Sequence, residues 1–68
     1  MVLDLRFSPE RVKAIRAKLG LTQVEFAARL GCSQPILSQW ETGTHTPRDT
    51  RYLMALLELE REAEEAAV

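Results

Sequence analysis

Between Leu19 and Gly43 the chain reads LGLTQVEFAARLGCSQPILSQWETG, and no other stretch limits the fold so tightly. Thr22-Gln23-Val24-Glu25 is a T-x-x-E capping box that starts a helix, and Gly31 stops it. Only Cys32 and Ser33 separate that stop from the next helix, so the two helices must meet at a steep angle. Ser33 is the expected N-cap of the second helix, Pro35 falls in its first turn, and Gly43 ends it. Its first residues are small or polar and have no evident core to pack against. The face they form is therefore left for a partner.

The flanks carry the same local punctuation. Ser8-Pro9-Glu10 gives an N-cap, a proline at the first helical position and an acid at the positive end of the dipole. Val12, Ile15 and Leu19 then recur at helical spacing, and Gly20 closes the helix. Phe7 is placed to pack across the cap as a staple. After the loop Thr44-His45-Thr46, the run Thr46-Pro47-Arg48-Asp49 reads as another start, with Thr46 as cap and Pro47 in the first position. One helix from about 47 to about 64 is the simplest continuation, and two short helices are the alternative. Leu53, Leu56, Leu57 and Glu60 mark one face, and Tyr52, Met54, Leu57 and Leu59 are candidates for positions outside the main stripe, Leu57 being open to either. The expectation is an all-α, compact bundle of four to five helices around the central pair.

At 68 residues the chain makes one domain, with little room for a deep catalytic pocket. No His/Asp/Glu cluster, nucleophile–base spacing or phosphate loop is present, so no catalytic residue, cofactor or metal is expected. The single cysteine, Cys32, offers no internal disulfide, and no apolar run approaches a membrane span. A cytoplasmic location is the default. The net charge of −1 hides an asymmetry. Residues 1–57 hold eight Lys/Arg and five acids, a net of +3, whereas residues 58–68 hold five Glu and Arg61, a net of −4. The acidic end reads as a solvated helix face. The mildly basic body allows modest non-specific attraction to nucleic acid.

Taken together, the residues resemble the Cro/lambda-repressor-like helix-turn-helix proteins of the Xre family. The pattern is Arg16-x-x-Leu19-Gly20-Leu21-Thr22-Gln23-x-x-Phe26-Ala27-x-x-Leu30-Gly31-Cys32-Ser33-Gln34. It continues as Leu37-Ser38-x-Trp40-Glu41-x-Gly43 and ends with Pro47. The ending is most similar to the small antitoxin-type branch. The resemblance implies that the second helix of the pair enters a DNA major groove. It places Gln34 and Gln39 at base-reading positions, Ser38 between their rows, and Pro35 where a polar reader is common. A glutamine there suits a bidentate contact to adenine, and Pro35 offers only van der Waals contact. Gln23 matches a phosphate clamp at a helix N-terminus, with Thr22, Thr42, Thr44 and Thr46 as further phosphate contacts. Lys18, Arg48 and Arg51 are candidates for longer-range attraction. Arg16 and Glu41 match a structural ion pair.

Other residues read as structure. Trp40 repeats the apolar row of Leu37 and belongs to the core. Cys32 takes a small apolar position, and His45 is a lone loop histidine without a second metal ligand. The expected division is an N-terminal arm over 1–7, the DNA-binding domain over 8–60 and an acidic helix end over 61–68. The surplus of apolar residues in the last helix and the arm points to a homodimer, which would read a palindrome. The leading expectation is a sequence-specific repressor of double-stranded DNA. The alternative is an antitoxin or other interaction module whose main role is to hold a toxin or another protein. The opening Met and the fading acidic end give the expectation of a complete small protein, with a fragment of a longer regulator as the alternative.

Overall fold

Helix starts follow the side chains that accept from free N–H groups. The computed structural model of the chain describes residues 4–66. Val2 and Leu3, part of the expected arm interface, lie outside the described residues. Four helices are present among them: α1 (Pro9–Leu19), α2 (Gln23–Leu30), α3 (Gln34–Thr42) and α4 (Thr50–Ala66). Ser8 Oγ accepts from Arg11 N–H, and Ser33 Oγ accepts from Ile36 N–H. At α2 the capping box closes in both directions: Glu25 N–H donates to Thr22 Oγ1 at 3.1 Å and Thr22 N–H to Glu25 Oε1 at 2.9 Å.

The tight turn after α2 depends on Gly31, whose φ is 79°. In that left-handed conformation the N–H of Cys32 reaches back to Ala27 O at 3.0 Å and the N–H of Gly31 to Ala27 O at 2.9 Å. This Schellman-type closure satisfies carbonyls that the helix end would leave bare and aims the chain straight into Ser33. Gly43, at φ 85°, carries a second constraint: a Cβ there would sit 3.3 Å from the Pro9 ring. The end of α3 and the start of α1 therefore approach each other closely at this glycine.

α1 packs on α4 and α3, while α2 packs on α3 and α4. The shared core is Phe7, Val12, Ile15, Phe26, Ala27, Leu30, Leu37, Trp40, Leu56, Leu59 and Ala63. Burying each large member contributes roughly 1.5–3 kcal/mol, which a chain of this length needs in full. The Cα radius of gyration is 11.0 Å, matching the ~11 Å of a compact globule of this size. Phe7 goes beyond stapling one helix, because it is part of the core itself.

Two expectations for the last helix need correction. It does not start at Pro47 with Thr46 as cap: residues 46–49 are non-helical and Pro47 is buried. Asp49 caps instead, its Oδ1 accepting from Arg51 N–H at 2.8 Å and its carbonyl from Leu53 N–H at 2.9 Å. Asp is the stronger N-cap of the two, and the proline ring is spent on burial rather than on opening a helix. The stripe is also shifted. Leu56, Leu59 and Ala63 are the buried residues of α4, so Leu59 lies inside it, and Leu53 and Leu57 form half-buried flanks. Tyr52 lies edge-on against Trp40 at 5.2 Å, leaving Met54 as the large apolar side chain of α4 that is well exposed. From Thr50 onward α4 is one continuous helix.

Candidate nucleic-acid interface

On α3 the inward residues are Leu37, Trp40 and Glu41, all buried. Residues 34 and 38, and 35 and 39, repeat at i, i+4 on the opposite side and form two adjacent rows. Pro35 and Gln39 are exposed, and Gln34 and Ser38 are half-buried. The structure thus brings Gln34, Pro35, Ser38 and Gln39 together on one outward face. That face is polar apart from the Pro35 ring, and the exposed Ile36 lies beside it. Thr42, Thr44 and Thr46 follow as exposed residues at and beyond the helix end. Thr42 and Thr44 share a hydroxyl–hydroxyl hydrogen bond at 3.0 Å, which holds that loop close to α3.

Behind the face lies an ionic group. Arg16 Nε donates to Glu41 Oε2 at 2.8 Å and its NH2 group to Oε1 at 3.0 Å, a bidentate pair joining α1 to α3. Arg16 also donates to the Leu21 carbonyl at 3.2 Å. Glu41 is only 5% exposed. The hydrogen bonds and charge of Glu41 push the Arg16 pKa up, outweighing the desolvation that lowers it. Gln23, at the first position of α2, donates Nε2–H to Glu41 Oε1 at 3.1 Å. Gln34 in turn donates Nε2–H to Gln23 Oε1 at 2.7 Å. An unbroken chain therefore runs from the buried pair to the first turn of α3. Thr22 is occupied as a cap, yet its hydroxyl hydrogen remains available to a phosphate.

Sequence reasoning missed the links from Gln34 to Gln23 and from Gln23 to Glu41, since no local signal connects side chains on different helices. It also missed Arg11. This residue donates Nε–H and NH2 protons to Glu60 Oε2 and Oε1, both at 2.7 Å, and an NH1 proton to the Asp4 carbonyl at 2.8 Å. Its guanidinium lies 4.0 Å from the centre of the Phe7 ring. Arg29 pairs with Glu62 at 2.7 Å. The acidic end of α4 is thus a partner of the body in part, rather than simply a solvated face. Of the cations named for long-range attraction, Arg51 is paired with Asp49 at 3.2 Å, whereas Lys18 and Arg48 have no ion-pair partner among the described residues.

The remaining candidates are quiet. Cys32 is half-buried, and burial pushes its thiol pKa up, away from reactivity. His45 is exposed, and no group of three His/Cys/Asp/Glu among the described residues is arranged to hold a metal. No helix among them is long and apolar enough to cross a membrane.

Two short helices at a tight turn, with a polar face on the second, define the helix-turn-helix class of DNA-binding proteins. The helix-turn-helix family HTH_3 matches residues 12–59. The chain belongs to this family, which is of the Cro/C1 type and Xre-like. It is also 42% identical over 50 residues to a propionyl-CoA carboxylase regulator of Cereibacter sphaeroides. That match covers 74% of this chain and 11% of the relative, so the chain spans about a tenth of the length of that regulator.

Proposed function

We propose that this chain recognises a specific double-stranded DNA site by placing α3 in the major groove. It binds a palindromic operator as a homodimer and represses transcription from it, with no catalytic role. The observation that carries this reading is the outward row of α3, where Gln34 is held in place from behind by Gln23. A braced amide loses less freedom on binding than a free one. Gln34 and Gln39 contact bases, Ser38 a base or phosphate, and Pro35 a thymine methyl. Thr22, Gln23, Thr42, Thr44 and Thr46 contact phosphates, with the α2 N-terminus adding its dipole. Self-association is supported by Met54 at 54% exposure on α4, beside the half-buried flanks Leu53 and Leu57.

The test is selection of duplexes from a randomised pool, followed by salt titration on the enriched site. An enriched palindrome, bound as a dimer and weakened about tenfold or more by Gln34→Ala, is the expected result. A concentration-independent monomer, or affinity that ignores sequence, contradicts it.

A further inference from the structure

Where the segment before α1 meets the loop after α3, the chain encloses a cleft of about 390 Å³. That volume lies at the lower end of the ~300–1,000 Å³ of small-molecule sites. Part of its lining is apolar: the Pro9 ring, the bare Cα of Gly43 and the buried Phe7. A Cβ on Gly43 would sit 3.3 Å from Pro9 Cγ and narrow the gap, so the glycine keeps it open. The rest of the lining carries donors, on Arg6, Ser8, His45 and Thr46, and no acidic side chain.

These donors stand on fixed backbone. Arg6 N–H donates to Asp4 Oδ1 at 3.0 Å, and Arg6 O accepts from the Arg11 guanidinium at 3.4 Å. The Arg6 side chain is nonetheless 96% exposed, and its Nε lies 3.7 Å from Asp4 Oδ1, beyond hydrogen-bonding distance. Ser8 Oγ accepts from Arg11 N–H, which leaves its own hydroxyl hydrogen to give. His45 N–H is tied to Gln39 O at 3.3 Å, while the residue stays exposed. A phosphate diester would engage the donors and leave the apolar walls unused. A neutral apolar molecule would fill the walls and leave the guanidinium without an anion.

We propose that this cleft binds a small monocarboxylate with a compact apolar body, and that its occupancy weakens operator binding. The carboxylate lies on the Arg6 fork and the Ser8 hydroxyl, a charge-assisted arrangement, and the apolar body lies between Pro9 and Gly43. Thr46 borders the cleft from the loop assigned above to phosphate contacts. A bound carboxylate takes its hydroxyl and sets a negative charge beside the DNA backbone. This coupling rests on the DNA-reading role proposed above, whereas the site itself does not.

The experiment is a titration of the isotope-labelled chain with benzoate, followed by two-dimensional NMR, with benzyl alcohol and inorganic phosphate as controls. Saturable shifts confined to residues 6–9 and 43–46 are expected, with a Kd of about 1 mM. Arg6→Gln keeps the helical spectrum and binds benzoate about tenfold more weakly. Shifts that stay linear or scatter over the surface overturn the site. Benzyl alcohol or phosphate binding as tightly as benzoate overturns the ligand class, and undiminished affinity in Arg6→Gln overturns the role of Arg6. Saturating benzoate lowers affinity for the enriched duplex about fivefold, and the duplex lowers benzoate affinity by the same factor. Unchanged duplex affinity overturns the coupling and leaves the site standing. A chain that enriches no duplex fails the DNA-reading role and the coupling with it, while the titration still decides the site.

Discussion

α1 carries two arginines, five positions apart, and each holds a glutamate with two hydrogen bonds, yet the two pairs differ in consequence. Arg16 reaches Glu41 on α3, where the carboxylate is almost wholly buried and also receives Gln23. Arg11 reaches Glu60 on α4, where both side chains remain about a quarter exposed and the remaining donors fasten the segment around Asp4. Geometry alone does not separate them, because the N–O distances lie between 2.7 and 3.0 Å in both. Burial and onward connections do. Removing Arg16 strands the Glu41 carboxylate away from water, while removing either partner of the Arg11–Glu60 pair leaves a group that water can reach.

The largest expected effect follows from the first pair. Arg16→Ala leaves the buried Glu41 carboxylate without its guanidinium and costs about 3–5 kcal/mol. For a domain this small that shifts the melting temperature by tens of degrees or abolishes folding, as thermal and urea melts followed by circular dichroism will show. An unchanged melting temperature removes the contrast. Glu60→Ala is expected to cost about 1 kcal/mol, a shift of several degrees in the same melts.

The second pair also carries a pH signature. Hydrogen bonding and charge from Arg11 hold the Glu60 pKa below its ordinary 4.5, against the opposing effect of burial. A carboxylate whose folded-state pKa is depressed stabilises fully above its unfolded value and loses that contribution as pH falls through the folded one. The stability gap between the parent and Glu60→Ala is therefore open at neutral pH and closes below 4.5. A gap that widens in acid breaks the assignment. The smallest effect belongs to Arg48, exposed and without an ion-pair partner among the described residues. Arg48→Ala leaves stability within about 0.5 kcal/mol. It lowers the slope of log affinity against log salt by about 1 if Arg48 meets a phosphate. An unchanged slope places Arg48 outside the footprint.

Much of the fold was legible because its signals are local. Ser8-Pro9, the Thr22–Glu25 box, Ser33 and the glycines at 20, 31 and 43 act within a few residues, and each lies where a helix begins or ends. The start of α4 was misread because Thr46-Pro47-Arg48-Asp49 contains two overlapping cap signals, and only burial of Pro47 decides between them. The α4 stripe was displaced for a similar reason: with leucines at 53, 56, 57 and 59, periodicity alone allows neighbouring faces, and packing against α1 and α2 selects one. The Arg11–Glu60 pair spans 49 residues of sequence and left no trace in it. At the candidate interface, the Arg16–Glu41 pairing came from family resemblance. The outward place of the α3 residues followed from helical spacing. The amide chain through Gln23 required the angle between α2 and α3, which no residue pattern states.

The two pairs also divide the molecule by role, and one comparison tests that division directly. Affinity for the enriched duplex and for a scrambled duplex of equal length is measured at a single salt concentration for the parent, Gln34→Ala and Glu60→Ala. Gln34→Ala should collapse the ratio of specific to non-specific affinity, and Glu60→Ala, although less stable, should preserve it. A ratio that survives the loss of Gln34, or falls equally in both variants, contradicts the assignment of α3 as the DNA-reading element.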